Sequence, residues 1–340
     1  MKERIMDELK KVKFPEHTKD VVSLGIVEDV EIGENGEVTV KGSLGIEDEI
    51  TSQKLRSSIT QALEKIEGVR KINVKIGKKN IVPRIKHIIG TTSGKGGVGK
   101  TTVSVNIALA LAKLGQKVGI LDTDIYGPNV PKMMGIEEEA IRLNQEDKDK
   151  MLPVEKEGIK VFSVGNLIPK GTALIWRGPL IHKTIEQFLE DVTWGDLDFL
   201  VVDFPPGTGD AQLSMAQLTK VTGGIIVTTP QDVALMDAAR AVDFFKKLKI
   251  PVFGVIENMS YFVCPHCGEK VDIFSHGGGK KLSIQLSLPF LGEIPIDTDI
   301  RIGSDEGKPI VVSKPDSLGA KAFINAAKKI IEEIKTLETL

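Results

Sequence analysis

Two short stretches of the chain hold residue types that do chemistry. In GKGGVGKTT, residues 94–102, Gly94, Gly99, Lys100 and Thr101 satisfy the spacing G-x-x-x-x-G-K-S/T. Gly94, Gly96, Gly97 and Gly99 let the backbone N–H groups around Lys95 and Val98 curl about phosphate oxygens without side-chain clash. Lys100 is then placed to bridge the outer phosphates of a nucleoside triphosphate. The Thr101 hydroxyl is placed to ligate Mg2+, and after Thr102, the last residue of the loop, comes the helical pattern VSVNIALALAKLG. The second stretch is SYFVCPHCGEKVDIF, residues 260–274, which contains Cys264 and Cys267, the only two cysteines of the chain. Two thiolates are too few for a closed structural zinc or iron–sulfur site, which usually takes four. A redox dithiol, half of a zinc site and half of a cluster site all remain open.

Carboxylates follow two apolar runs. KVGILDTDIYGPNVP puts Asp122 and Asp124 at the end of a strand-like segment, where ligand-binding loops emerge in doubly wound sheets. DFLVVDFPPGTGD repeats the design with Asp203, a candidate for the Mg2+ shell. Asp124 is the candidate for orienting the attacking water, and Asp122 lies nearer the metal shell. Pro205, Pro206, Gly207 and Gly209 make a loop able to take two shapes, in which the Gly207 N–H is a candidate donor to the γ-phosphate. Asn258 ends the run FGVIENM, and its amide offers both a donor and an acceptor, as an adenine edge requires.

The elements needed to hold these groups are legible in the hydrophobic pattern. From Ile85 onward, HIIGTT, KVGILDTD, IKVFSVG, DFLVVDF, GGIIVTT, FGVIENM and FLGEIP alternate with helical stretches. Near-continuous apolar strands separated by helices predict an α/β fold, a doubly wound and mostly parallel sheet of the P-loop NTPase kind. Residues 1–80 read as a small α+β domain: a short helix in MDELKKV, a hairpin turning at GENG, a helix from Ser52 to Ile66 and an edge strand in VRKINVKI. IGKKNIVPR is the expected linker, and residues 81–340 form the second domain. The tail from Gly319 is an amphipathic helix in which Lys328, Lys329 and Lys335 are balanced by Glu332, Glu333 and Glu338.

Bulk properties narrow the function. A net charge of −2 over 340 residues gives no basic excess for nucleic acid. No run approaches the apolar length of a membrane span, and MKERIMDELKKVKF lacks the apolar centre of a secretory signal. With no disulfide framework available, the expected compartment is a reducing cytoplasm, and neither membrane nor nucleic acid is an expected partner.

Together, GKGGVGKTT, DTDIYGPNVP, WRGPLIHKTIEQFL, DFLVVDFPPGTGD, ENMSYFVCPHCG and EIPIDTDIR resemble the Mrp/ApbC iron–sulfur cluster carrier ATPases. These are relatives of MinD, ParA and the nitrogenase iron protein that share a deviant phosphate loop. The resemblance runs through most of residues 85–335. It implies an ATP-dependent homodimer that binds a 4Fe-4S cluster, receives it from cluster assembly factors and passes it to apo iron–sulfur proteins. It also implies that Lys95, the extra lysine of the deviant loop, reaches the partner's nucleotide. Asp124 would be the hydrolytic aspartate, Asp203 would serve magnesium, Asn258 the adenine and Cys264 with Cys267 the cluster. In a symmetric dimer, one Cys-x-x-Cys per chain becomes a set of four thiolates at the two-fold axis. Residues 1–80 resemble the small domain often fused in front of these ATPases. The cysteine often found after its second strand is missing around Ile50 to Lys54, so a docking module is expected. A partitioning ATPase of the MinD or ParA kind, with zinc at the interface, is the alternative. Such an ATPase calls for a basic tail or face, whereas this tail is charge-balanced.

Overall fold

The computed structural model describes every residue except 15–19, 45–48, 79, 80, 83, 146, 168–177 and 340. Part of the expected linker (79, 80 and 83) and Trp176 and Arg177 of the WRGPLIHK motif lie outside the described residues. Two compact units are built on Met1–Ile81 and on Val82–Ala216 with Val221–Leu340.

The first unit contains α1 (Lys2–Leu9), β1 (Val27–Ile32), β2 (Glu37–Leu44), α2 (Glu49–Leu63) and β3 (Lys71–Lys78). β1 pairs antiparallel with β2, and β3 joins the other side of β2 in parallel. The GENG turn works because Asn35 and Gly36 take φ of 65° and 76°, the left-handed pair that a tight hairpin needs. Ile5 and Leu9 of α1 and Leu55, Ile59 and Leu63 of α2 recur at helical spacing. They are fully buried with Val38 and Val40, so one helical stripe from each covers the sheet.

The second unit runs β4 (Ile85–Ser93), α3 (Lys100–Lys113), β5 (Val118–Asp122), α4 (Val130–Met134), β6 (Arg142–Leu143), β7 (Met151–Leu152), β8 (Val154–Lys156) and β9 (Ile159–Ser163). It continues with α5 (Gly178–Glu190), β10 (Leu197–Asp203), α6 (Asp210–Leu218), β11 (Gly223–Thr228), α7 (Asp232–Lys247) and β12 (Val252–Glu257). The rest is β13 (Phe262–Val263), β14 (Lys270–Val271), α8 (Gly278–Gln285), β15 (Phe290–Glu293), α9 (Thr298–Glu306), α10 (Ile310–Ser313) and α11 (Leu318–Glu338).

Eight of these strands form one sheet in the order β15-β12-β11-β4-β10-β5-β9-β8. The seven strands anticipated as parallel are parallel, and β8 is added antiparallel at the edge by a hairpin with β9. The order reverses beside β4, so its carboxyl end opens at a topological switch point. The register there is specific: Asp203 lies opposite Asp122 on one side and Thr91 on the other, and Asp122 lies opposite Ser163. α3 is buried along most of its length, with Val103, Val105, Ile107, Leu109 and Leu111 among its buried residues. Such a helix needs cover on both sides, and it lies between the sheet and α11, whose Phe323, Ala327 and Ile330 are fully buried.

Candidate nucleotide site and cysteine hairpin

A cleft of about 700 Å3 opens at the carboxyl end of the sheet, walled by the phosphate loop, the Thr123–Gly127 turn and the Pro205–Ala211 loop. Lys95, Gly96, Gly97, Gly99, Lys100, Thr101, Thr102 and Asp124 line it. Gly94 and Val98 belong to the same loop, while Asp122 and Asp203 sit fully buried behind the lining. Gly99 has φ of 80°, and a Cβ there would lie 2.2 Å from Asn258 Nδ2. Backbone geometry and space both restrict the position to glycine.

At the floor of the cleft, Lys100 Nζ lies 2.7 Å from Asp203 Oδ1 and 3.8 Å from Asp124 Oδ2. Thr101 Oγ1 donates to Asp203 Oδ2 at 2.8 Å, and Ser104 Oγ donates to Asp203 Oδ1 at 2.5 Å. Asp122 accepts from Asp124 N at 3.0 Å, Ser163 Oγ at 3.0 Å and Val130 N at 3.3 Å. Hydroxyl and carboxylate oxygens so grouped are the hard ligands that Mg2+ prefers, and Thr101 with Asp203 fits that ion. Spacing alone did not reveal Ser104 or Ser163. Ser104 is one helical turn beyond Lys100, and Ser163 becomes a neighbour only through sheet register.

Charge is crowded here, and burial acts on two of the carboxyls. Burial pushes the Asp122 carboxyl up to about 8, helped by the Asp203 charge and opposed by Lys100. Burial also raises Asp124, opposed by Lys100. Between the unfolded carboxyl value near 3.8 and about 8, the folded chain holds a proton on Asp122 that the unfolded chain lacks. Stability of the ligand-free, metal-free chain is therefore expected to fall as pH rises through that window. Asp122→Asn removes this contribution. Urea unfolding between pH 5 and pH 8 should show a shallower decline in the variant; equal slopes would contradict the assignment.

Two expected contacts are already occupied by the protein itself. The Gly207 N–H donates to Ser93 O at 2.8 Å, so its contact with a γ-phosphate requires the Phe204–Gly209 loop to shift. Asn258 is 5% exposed, and its Nδ2 donates to Val98 O at 2.8 Å, beneath the phosphate loop.

The cysteines stand apart from the cleft lining, on a hairpin closed by β13 and β14. Cys264 N donates to Glu269 O at 2.9 Å, and Gly268 N donates to Cys264 O at 2.8 Å, a tight knuckle. The backbone N–H groups of Cys267 and His266 and the Cys267 thiol hold the Cys264 thiol below its ordinary range. Cys264 is half-buried and Cys267 exposed. Among the described residues, no group of three or more His, Cys, Asp and Glu side chains is arranged to hold a metal. No helix among them is long and apolar enough to cross a membrane.

A phosphate loop at the switch point of a parallel sheet, backed by strand-tip aspartates, defines a P-loop NTPase. Residues 84–331 match the family described as NUBPL iron-transfer P-loop NTPase, and the chain belongs to that family. Residues 2–76 match the family described as iron-sulfur cluster assembly protein. An iron-sulfur cluster carrier protein of Deinococcus radiodurans is 44% identical, over 100% of this chain and 98% of its own length. An iron-sulfur protein required for NADH dehydrogenase in Arabidopsis thaliana mitochondria is 49% identical, over 74% of this chain and 80% of its own. Among solved structures, a nucleotide-binding protein from Archaeoglobus fulgidus in complex with ADP superposes with a TM-score of 0.61 at 39% identity, covering 69% of this chain and 91% of that one. The cell division ATPase MinD of Pyrococcus furiosus gives a TM-score of 0.53 at 26% identity, covering 72% and 98%.

Proposed function

We propose that this chain is an ATPase that binds a 4Fe-4S cluster between two copies of itself and hands it to apo iron–sulfur proteins. The proposal rests on one juxtaposition: the unit that carries the phosphate loop also presents a hairpin with two thiols, half the usual ligand set of a cluster. The iron–sulfur names of the relatives support the cargo. A thiolate pair exposed at a two-fold axis suits a cluster that must leave again. Cytoplasmic residence and supply by cluster assembly factors belong to the same proposal, as does docking by residues 1–80 as a domain separate from 81–340.

For hydrolysis, Thr101 and Asp203 would hold Mg2+, which would supply positive charge to offset that of the phosphates. Lys100, now paired with Asp203, would exchange that carboxylate for the outer phosphates. Asp124 lines the cleft with its carboxyl raised by burial, so it is suited to orient water and accept its proton. Lys95, also in the lining, would meet the partner's nucleotide and stabilise charge developing at the transferred group. Asn258 Oδ1 is the atom to accept from an adenine amino group, since its Nδ2 already serves Val98.

Anaerobic reconstitution tests the cargo. The expected result is a cluster absorption band with about four irons and four sulfides per dimer. Zinc at about one per dimer, unexchanged by iron and sulfide, would overturn it. Asp124→Asn tests the chemistry: Mg·ATP affinity should hold while turnover falls by about 10²-fold or more. Normal turnover in Asp124→Asn with an inactive Asp122→Asn would reverse the two roles.

A further inference from the structure

Glu257, the last residue of β12, is fully buried, and neither the proposed hydrolysis nor the thiol pair uses it. Its Oε1 accepts from Ser260 Oγ at 2.5 Å and from Gly277 N at 3.0 Å, and its Oε2 accepts from Gly279 N. Ser260 is where the chain leaves the sheet for the cysteine hairpin, and Gly277 is where it returns. One carboxylate thus ties the outgoing stem to the returning stem. A buried carboxylate is costly unless donors surround it, and here two of the three donors are backbone N–H groups at the start of α8, where the helix dipole favours an anion. Gly279 admits this approach: a Cβ there would lie 3.0 Å from Glu257 Cβ and 3.1 Å from Oε2.

Other bonds also hold the stems, among them Ile296 N to Tyr261 O at 2.7 Å. Ser260 N donates to Ile294 O at 2.9 Å, and His276 Nε2 lies 3.1 Å from Glu293 Oε2 on the return. The neighbour of Glu257 is Asn258, whose Nδ2 supports the phosphate loop through Val98 O. Successive side chains at a strand end point to opposite faces. The step Glu257–Asn258 therefore holds the cysteine hairpin on one side and the phosphate loop on the other.

We infer that Glu257 is a positioning residue: its carboxylate clamps the hairpin that presents Cys264 and Cys267, and through Asn258 it relays the state of the phosphate loop to them. Its bearing on cluster retention rests on the carrier reading proposed above; the clamp itself does not. Glu257→Gln in the full chain replaces one accepting oxygen with an N–H2 donor, which faces N–H groups that also donate. Hydrogen exchange across residues 260–277 is expected to quicken about tenfold, the scale of one lost charge-assisted bond. Iodoacetamide should alkylate Cys264 and Cys267 faster. ADP should slow hairpin exchange in the parent chain but not in the variant, with ADP affinity unchanged. After reconstitution, iron should be lost about tenfold faster from the variant.

Should Glu257→Gln fold poorly, Ser260→Ala removes a single donor and should show the same local effects in milder form. Unchanged hairpin exchange and alkylation in both variants would overturn the inference. So would exchange that rises uniformly across the chain, which marks a merely structural carboxylate. If the parent chain takes up no iron while hairpin exchange still responds as stated, the carrier reading fails and the clamp stands.

Discussion

Lys100→Ala is expected to abolish ATP turnover and also to destabilise the ligand-free chain by about 3–5 kcal/mol, the scale for breaking a buried ion pair from one side. Lys100 is 6% exposed, and its ammonium faces the fully buried Asp203 at 2.7 Å. Without it, the buried Asp203 carboxylate lies opposite Asp122, which holds its proton up to about pH 8, with no counter-charge. The double variant Lys100→Ala/Asp203→Asn separates the two effects. It should recover most of the stability, because the stranded charge is gone, and none of the turnover, because the outer phosphates still lack their donor. Urea unfolding and steady-state phosphate release measure both quantities on the same samples. Turnover at the parent rate in Lys100→Ala would remove residues 94–102 as the site.

Cys264→Ser and Cys267→Ser should each lose the cluster entirely, since in a symmetric pair one substitution damages two ligands of four. Serine keeps the hairpin's size but not a soft thiolate. ATP turnover is expected to persist at least in part, because neither cysteine lines the cleft. Transfer of iron to an apo acceptor should fail in both variants. Retention of about four irons per dimer by either one would mean that the ligand set lies elsewhere. Recovery of a Cys264–Cys267 disulfide without metal would favour a dithiol instead.

What was legible in the sequence and what was not divides along a physical line. The phosphate loop, the strand-tip aspartates and the parallel order depend on local spacing and on apolar runs, which any reader of the chain can count. The helix assigned to Ser52–Ile66 forms three residues earlier at each end, as Glu49–Leu63. Partners across the sheet could not be counted. Ser163 meets Asp122 because β9 pairs with β5 in one register, and nothing in IKVFSVG signals that pairing. Glu257 reads as an ordinary acidic residue until three donors converge on it. The Gly207 N–H was expected at a phosphate, yet it donates to the backbone at Ser93 O, a partner that spacing does not reveal.

The burial of α3 between the sheet and α11 bears on how the unit can move. A helix packed between the sheet and α11 resists displacement, and under the proposed function phosphates bound at its start would not drag it. Any stroke set off by nucleotide must then be carried by what hangs from the stationary frame: the Phe204–Gly209 loop and the hairpin from Ser260 to Gly277. Cargo handling would thus be a matter of two hinged appendages changing their angle on a fixed block.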